Sequence, residues 1–144
     1  MAGRPGSRDA AQAFAPCAVV PIYNHGSSIA ATANALAAHG LPVIIVDDGS
    51  SADTRAILDR LVAGRHDLRL IRLPVNGGKG KALTAGFLAA HEAGYSHVLQ
   101  IDADGQHDTA DVPRLTDEVR AHPDAMIFGR PIYRLEEHPS ELPS

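Results

Sequence analysis

The chain has 144 residues, which is enough for one domain and leaves little room for a second. Hydrophobic residues make up 44% and charged residues 21%, as is usual for a soluble globular protein. The net charge of −4 and the lack of a basic run disfavour nucleic acid as a partner. Cys17 is the single cysteine, so an internal disulfide is excluded and a reducing compartment is expected.

The purely apolar runs are far shorter than the roughly 20 residues that a membrane-spanning helix needs. The first residues also lack the apolar core of a signal peptide. We therefore expect a cytoplasmic protein, and a peripheral position at a membrane surface stays open.

Hydrophobic periodicity predicts a domain at 16–133 between a mobile segment at 1–15 and a loose tail at 134–144. Five short apolar runs are typical of strands, and four amphipathic segments are typical of helices. In chain order the predicted elements are a strand at 17–22, a helix at 28–39, a strand at 43–46, a helix at 53–63, a strand at 68–73, a helix at 79–91, a strand at 97–101, a helix around 112–119 and a strand at 125–128. This alternation predicts an α/β domain with a Rossmann-like, mainly parallel sheet flanked by helices.

Polar side chains concentrate directly after the first four predicted strands. The four loops are 23–26 (YNHG), 47–51 (DDGSS), 74–81 (PVNGGKGK) and 102–107 (DADGQH). Ligands of open α/β sheets bind beyond the carboxyl ends of the strands, so these loops are the candidate site.

The loop at 102–107 carries the strongest chemical signal. Asp102 and Asp104 alternate at a strand end, where both carboxylates can face one point and repel unless a cation neutralises them. A hard divalent ion would do so and would also accept phosphate oxygens, and Gln106 adds a neutral oxygen. The alternative is an Asp-rich turn whose carboxylates cap backbone groups. An EF-hand is excluded because Pro113 stands where the twelfth loop position needs an acid.

The loop at 47–51 offers one carboxylate, Asp47 or Asp48, to a ribose hydroxyl or a base N–H. The alternative is a turn in which Ser51 or Asp53 caps the next helix. At the first strand end, Tyr23 either stacks on a base or packs as a rim residue.

The glycine-rich loop at 76–81 precedes a helix, whose N-terminus favours anions. Of the 13 Lys and Arg residues only Lys79 and Lys81 are lysines, and both lie here. This favours phosphate contact, although a flexible turn with solvated lysines is the alternative. The spacing matches neither a Walker loop nor a Gly-x-Gly-x-x-Gly loop.

Taken together, these loops resemble the successive motifs of the family 2 glycosyltransferases with the GT-A fold. The matching segments, in the family's order over about residues 17–130, are 19–24 (VVPIYN), 46–50 (VDDGS), 76–80 (NGGKG) and 102–107 (DADGQH). The last two look most like the polyprenyl-phosphate branch, which includes dolichyl-phosphate mannose synthase.

The resemblance implies inverting transfer of a sugar from a nucleotide-diphosphate donor, with Mg²⁺ or Mn²⁺ neutralising charge on the leaving group. Asp102 and Asp104 would be the catalytic pair and would bind the metal together with Gln106. The base and ribose would lie against Pro21, Tyr23 and Asp47 or Asp48. The expected nucleotide-sugar contacts are completed by Asn24, Gly78, Lys79 and Ala103.

The resemblance fades over 134–144, whereas family members usually continue into a half that shapes the acceptor site. We therefore expect the donor half to be present and the acceptor half to be missing. A lipid-phosphate acceptor would be anionic near neutral pH and would need little help from a general base.

Three other functions use part of this pattern, and two of them lack a feature that they need after the first strand. A non-catalytic nucleotide-sugar-binding module shares every motif above. A nucleotidyltransferase should carry its glycine-rich loop after the first strand, where this chain has YNHG. A response-regulator receiver should carry its acidic pair there, whereas here it follows the second strand.

We predict that Asp104→Asn removes most metal-dependent donor binding, because the metal would lose a charged oxygen ligand. Calorimetry with a nucleoside diphosphate and Mn²⁺ measures this effect, and unchanged affinity in the variant would refute the metal assignment.

Overall fold

A computed structural model describes residues 14–103, 112–121 and 132–134 of the chain. Within these ranges strands and helices alternate, as predicted. They are β1 (Pro16–Ile22), α1 (Ile29–Ala38), β2 (Val43–Asp48), α2 (Ala52–Val62), β3 (Leu68–Leu73), α3 (Lys79–Glu92), β4 (His97–Gln100), α4 (Val112–Ala121) and β5 (Ile132–Arg134).

The strands form one sheet in the order β3-β2-β1-β4-β5. β1, β2, β3 and β4 pair in parallel, and β5 runs antiparallel to β4 with His97 opposite Arg134. The prediction of a mainly parallel sheet flanked by helices is confirmed. The strand predicted at 125–128 lies outside the described residues, and β5, which reaches into the segment expected to be a loose tail, was not predicted.

Helices cover both faces of this sheet because its strands are apolar on both sides. In β1, Ala18, Val20 and Ile22 pack into a cluster with α1 and α2. Cys17 and Val19 point the opposite way, into a second cluster with α3. This alternation is the period of two expected of a strand, and it produces a three-layer α/β/α domain.

The direction of strand order reverses between β1 and β4. The chain runs outward from β1 to β3 and then returns to the far side of β1, with α3 crossing back over the sheet. Gly86 lets α3 approach closely, since a Cβ there would lie 2.5 Å from Cγ1 of Val19. The N-terminus of α3 therefore lies at the edge where β1 and β4 end, which is the usual ligand crevice of such sheets.

Across the described ranges, no helix is both long and apolar enough to cross a membrane.

Cys17 provides a test of the buried core. Burial raises the pKa of its thiol to about 12, from 9.0 in an exposed thiol. Above pH 9 the unfolded chain ionises while the folded thiol stays neutral, so the free energy of unfolding must fall as pH rises. Between pH 8 and pH 10 we expect a loss of about 1 kcal/mol that Cys17→Ala lacks. Urea unfolding of both proteins measures the difference, and parallel pH profiles would contradict the burial.

Candidate functional site

A cleft of about 380 Å³ opens at the carboxyl ends of β1, β2 and β4, beside the N-terminus of α3. Eight predicted site residues line it: Pro21, Tyr23, Asn24, Asp48, Gly78, Lys79, Asp102 and Ala103. Four further lining residues were not predicted: Ile22, His25, Asn76 and Ala82. Asp47 is not among the described lining residues, and Asp104 and Gln106 lie outside the described part of the chain. The four loops chosen from the sequence thus supply most of the cleft.

The carboxylate of Asp48 holds the glycine-rich loop against the end of β2. Its Oδ1 accepts a hydrogen bond from the Gly77 N–H at 2.9 Å. Its Oδ2 accepts one from the Gly78 N–H at 3.0 Å and one from Nδ2 of Asn76 at 2.8 Å. Asp48 is only 3% exposed, so these charge-assisted bonds operate away from bulk water. The carboxylate thus fixes the segment that leads into α3.

Gly49 brings the same two loops into direct backbone contact. A Cβ at this position would lie 2.3 Å from the backbone nitrogen of Asn76, and the φ of +75° also disfavours any L side chain. Only glycine therefore satisfies both requirements.

Asp47 faces the opposite side of the sheet from Asp48. It is fully buried, and it accepts hydrogen bonds from the Ser50 N–H at 3.0 Å and from Nε of Arg72 at 3.3 Å. Burial opposes the charge on Arg72, but hydrogen bonds to Asp59 and Asp47 outweigh it and raise the pKa of the guanidinium. Of the two carboxylates offered by the sequence, Asp48 is the one that reaches the cleft.

The turn after β1 is tied to the turn after β2 by two hydrogen bonds. The Asn24 N–H donates to Oγ of Ser50, and Oδ1 of Asn24 accepts from the Ser51 N–H, both at 2.8 Å. The amide of Asn24 thereby caps α2, for which Ser51 provides no side-chain cap. Asn24 and His25 both adopt positive φ angles, a strained turn that sets Tyr23 and His25 along the cleft rim.

On the other side of the cleft, Nζ of Lys79 lies 2.8 Å from Oδ1 of Asp102. Lys79 is the first residue of α3, and the first turn of this helix contains no acidic residue. Its N-terminal dipole and the lysine together make this wall cationic.

The carboxylate of Asp102 suits a metal cation, because it is a hard oxygen ligand in the cleft that already attracts an ammonium group. The described residues contain no cluster of three or more acidic, His or Cys side chains able to hold a metal. Among the residues that the structure describes, Asp102 is therefore the proposed metal ligand.

The lining residues that were not predicted all lie within three positions of a predicted site residue in the sequence. His25 and Asn76 belong to loops already chosen, and Ala82 lies one turn into α3. None of these types is distinctive by itself, so only the folded arrangement identifies them.

We predict that Gly49→Ala is far more destabilising than Gly64→Ala. Both glycines have positive φ, but a Cβ at Gly64 meets nothing within 4 Å. Gly64→Ala should cost about 1 kcal/mol from the left-handed backbone alone. Gly49→Ala should add about 2 kcal/mol more because two backbones must separate. Urea unfolding measures the free energy of unfolding of both variants. Equal decreases in the two variants would show that the two loops are not in close contact.

Comparison with known proteins agrees with this architecture. Residues 17–143 match the family described as Glycosyl transferase family 2. The chain is 32% identical over 116 residues to polyprenol monophosphomannose synthase of Mycolicibacterium smegmatis, covering 78% of this chain and 43% of the relative. It is 33% identical over 104 residues to undecaprenyl-phosphate mannosyltransferase of Micrococcus luteus, covering 71% and 43%. The chain thus spans less than half the length of these relatives.

Solved structures show the same fold. A mannosyltransferase from Pyrobaculum calidifontis, solved with GDP-Man and Mn²⁺, superposes with a TM-score of 0.62 at 24% identity, covering 88% of this chain and 36% of that one. TarS from S. aureus gives a TM-score of 0.59 at 25% identity, covering 76% and 33%. The sheet has the GT-A architecture of these enzymes, and the family match over residues 17–143 shows that this chain belongs to glycosyltransferase family 2.

Proposed function

We propose that this chain binds a nucleotide-diphosphate sugar in the cleft, together with Mg²⁺ or Mn²⁺, for inverting transfer of the sugar to a polyprenyl-phosphate-like acceptor. The observation that carries the proposal is the arrangement of the cleft. The N-terminus of α3, with Lys79, faces the carboxylate of Asp102 at the carboxyl ends of β1 and β4.

The relatives support the choice of donor and acceptor. Two of them are named for mannose transfer to polyprenyl phosphates, and each is more than 30% identical to this chain. The mannosyltransferase from Pyrobaculum calidifontis was solved with GDP-Man and Mn²⁺. TarS has been solved with UDP. Proteins that share this fold have therefore been solved with GDP-Man and Mn²⁺ and with UDP, which supports a nucleotide site in the cleft.

The cleft has separate regions for the parts of such a donor. Tyr23 is 49% exposed on the rim, where its ring is available to stack on a base. Lys79 and the N-terminus of α3 suit a diphosphate. The N–H groups of Gly77 and Gly78 already donate to Asp48, so we assign these glycines to loop geometry and the phosphate contact to Lys79.

In the proposed reaction an acceptor phosphate oxygen attacks the anomeric carbon as the bond to the diphosphate breaks. A bound divalent ion would neutralise charge on the departing diphosphate. Asp102 would hold that ion, with Asp104 and Gln106 proposed as its further ligands. The acceptor phosphate is anionic near neutral pH, so no proton needs to be removed before attack.

We predict that the protein transfers labelled sugar from a nucleotide-diphosphate sugar to a polyprenyl phosphate with Mn²⁺ present, and that EDTA abolishes transfer. Asp102→Asn should lower the rate by about two orders of magnitude, because charge stabilisation in the transition state is lost. Asp67→Asn is the matched control, since Asp67 forms an ion pair with Arg65 at 2.9 Å on the surface, before β3 begins.

A panel of GDP- and UDP-sugars with chromatographic detection of the lipid product provides the measurement. Binding of nucleoside diphosphate without transfer would favour a nucleotide-sugar-binding module. Failure to bind any nucleoside diphosphate would contradict the donor site itself.

A further inference from the structure

The ion pair between Lys79 and Asp102 lies in the cleft where the proposed donor and metal would meet. Nζ and Oδ1 are 2.8 Å apart, and the two side chains are 53% and 41% exposed. Ion pairs with this exposure are weak, because water competes for both charges. Lys79 is close enough to offset the charge of Asp102. Because the ion pair is weak, another ligand can replace Lys79.

The position of Lys79 in its helix is electrostatically unfavourable without a nearby anion. Helix N-termini favour acidic side chains, yet the first turn of α3 contains Lys79 and Lys81 and no acid. Asp48 offsets part of this positive charge through its bond to the Gly78 N–H, and Asp102 offsets a further part through the ion pair with Lys79. An anion beside Lys79 is therefore electrostatically favourable, whether the anion belongs to the protein or to a ligand.

Backbone geometry keeps Lys79 beside the cleft whichever anion it holds. Gly78 precedes it with a φ of +96° and is bonded through its N–H to the buried Asp48. The base of the lysine side chain is thereby anchored, while its ammonium end stays partly in solvent. A change of partner needs only side-chain rotation.

From these observations we infer that Lys79 is the resident counter-ion of Asp102 and changes partner when ligands bind. The divalent ion takes over Asp102, and the Lys79 ammonium moves to a phosphate of the donor. This inference rests on the proposed function, because it assigns the metal and the diphosphate to this cleft.

The exchange couples the two ligands. Metal alone must displace Lys79 from Asp102, and nucleotide alone must draw Lys79 away from Asp102. When both bind, the ion pair between Lys79 and Asp102 is broken only once for the two ligands. Metal and nucleotide should therefore strengthen each other's binding, by the same factor in either order.

The test measures Mn²⁺ affinity in the absence of nucleotide, by electron paramagnetic resonance of free Mn²⁺, for the wild type, Lys79→Gln and Lys81→Gln. Lys79→Gln should bind Mn²⁺ about two- to fivefold more tightly, since a competitor of ion-pair strength is removed. Lys81→Gln removes the same charge from the same helical turn. Lys81 is not among the described residues that line the cleft, so this variant should change the affinity less.

A second measurement, calorimetry with GDP or UDP, separates the exchange from a general charge effect. In Lys79→Gln the nucleotide should bind more weakly than in the wild type, and the enhancement of its binding by Mn²⁺ should shrink. Equal Mn²⁺ affinity in Lys79→Gln and the wild type would overturn the inference, as would an equal gain in Lys81→Gln. If the wild type binds nucleoside diphosphate with Mn²⁺ while either result occurs, the proposed function stands and only the exchange fails.

Discussion

The carboxylate of Asp48 is the contact on which the cleft depends. It joins the end of β2 to the loop after β3 through two backbone N–H groups and the side chain of Asn76. A buried charge is stable only when it is fully hydrogen-bonded, and here the loop supplies the donors. Gly49 permits the close approach that these bonds need. The start of α3, and with it Lys79, is positioned as a consequence.

Sheet topology then determines where this helix terminus lies. Because the strand order reverses at β1, the carboxyl ends of β1 and β4 lie side by side at the usual ligand crevice of such sheets, and the cleft opens there. α3 packs closely on Val19 through Gly86 and begins at the mouth of the crevice. Asn24 closes the other side by bonding to the turn that starts α2. Four loops far apart in sequence thus form one site.

The succession of strands and helices along the chain could be predicted from the sequence, because it follows from apolar periodicity. The positions of the four polar loops could be predicted from the ends of the predicted strands. The choice between Asp47 and Asp48 could not be predicted, because neighbouring residues of a strand face opposite sides of the sheet and the sequence does not show which side carries the cleft. Asp48 faces α3 and the cleft, whereas Asp47 faces the side of α1 and α2.

Other features depend on contacts that no local pattern encodes. The cap that Asn24 provides to α2 joins residues 27 positions apart, and the ion pair of Lys79 with Asp102 spans 23. Strand β5 pairs with β4 and has only three residues, which is too short for hydrophobic periodicity to identify it. Asp104 and Gln106, predicted as metal ligands, remain predictions.

We propose that a nucleoside diphosphate lies in the cleft at the carboxyl ends of β1 and β4. Backbone amide chemical shifts, followed by NMR during titration with GDP or UDP and Mg²⁺, test it most directly. We expect the largest changes at Tyr23, His25, Lys79 and Ala103, with little change at Ser96 and His97 where β4 begins. Changes centred on the opposite edge of the sheet, or none at saturating nucleotide, would contradict it.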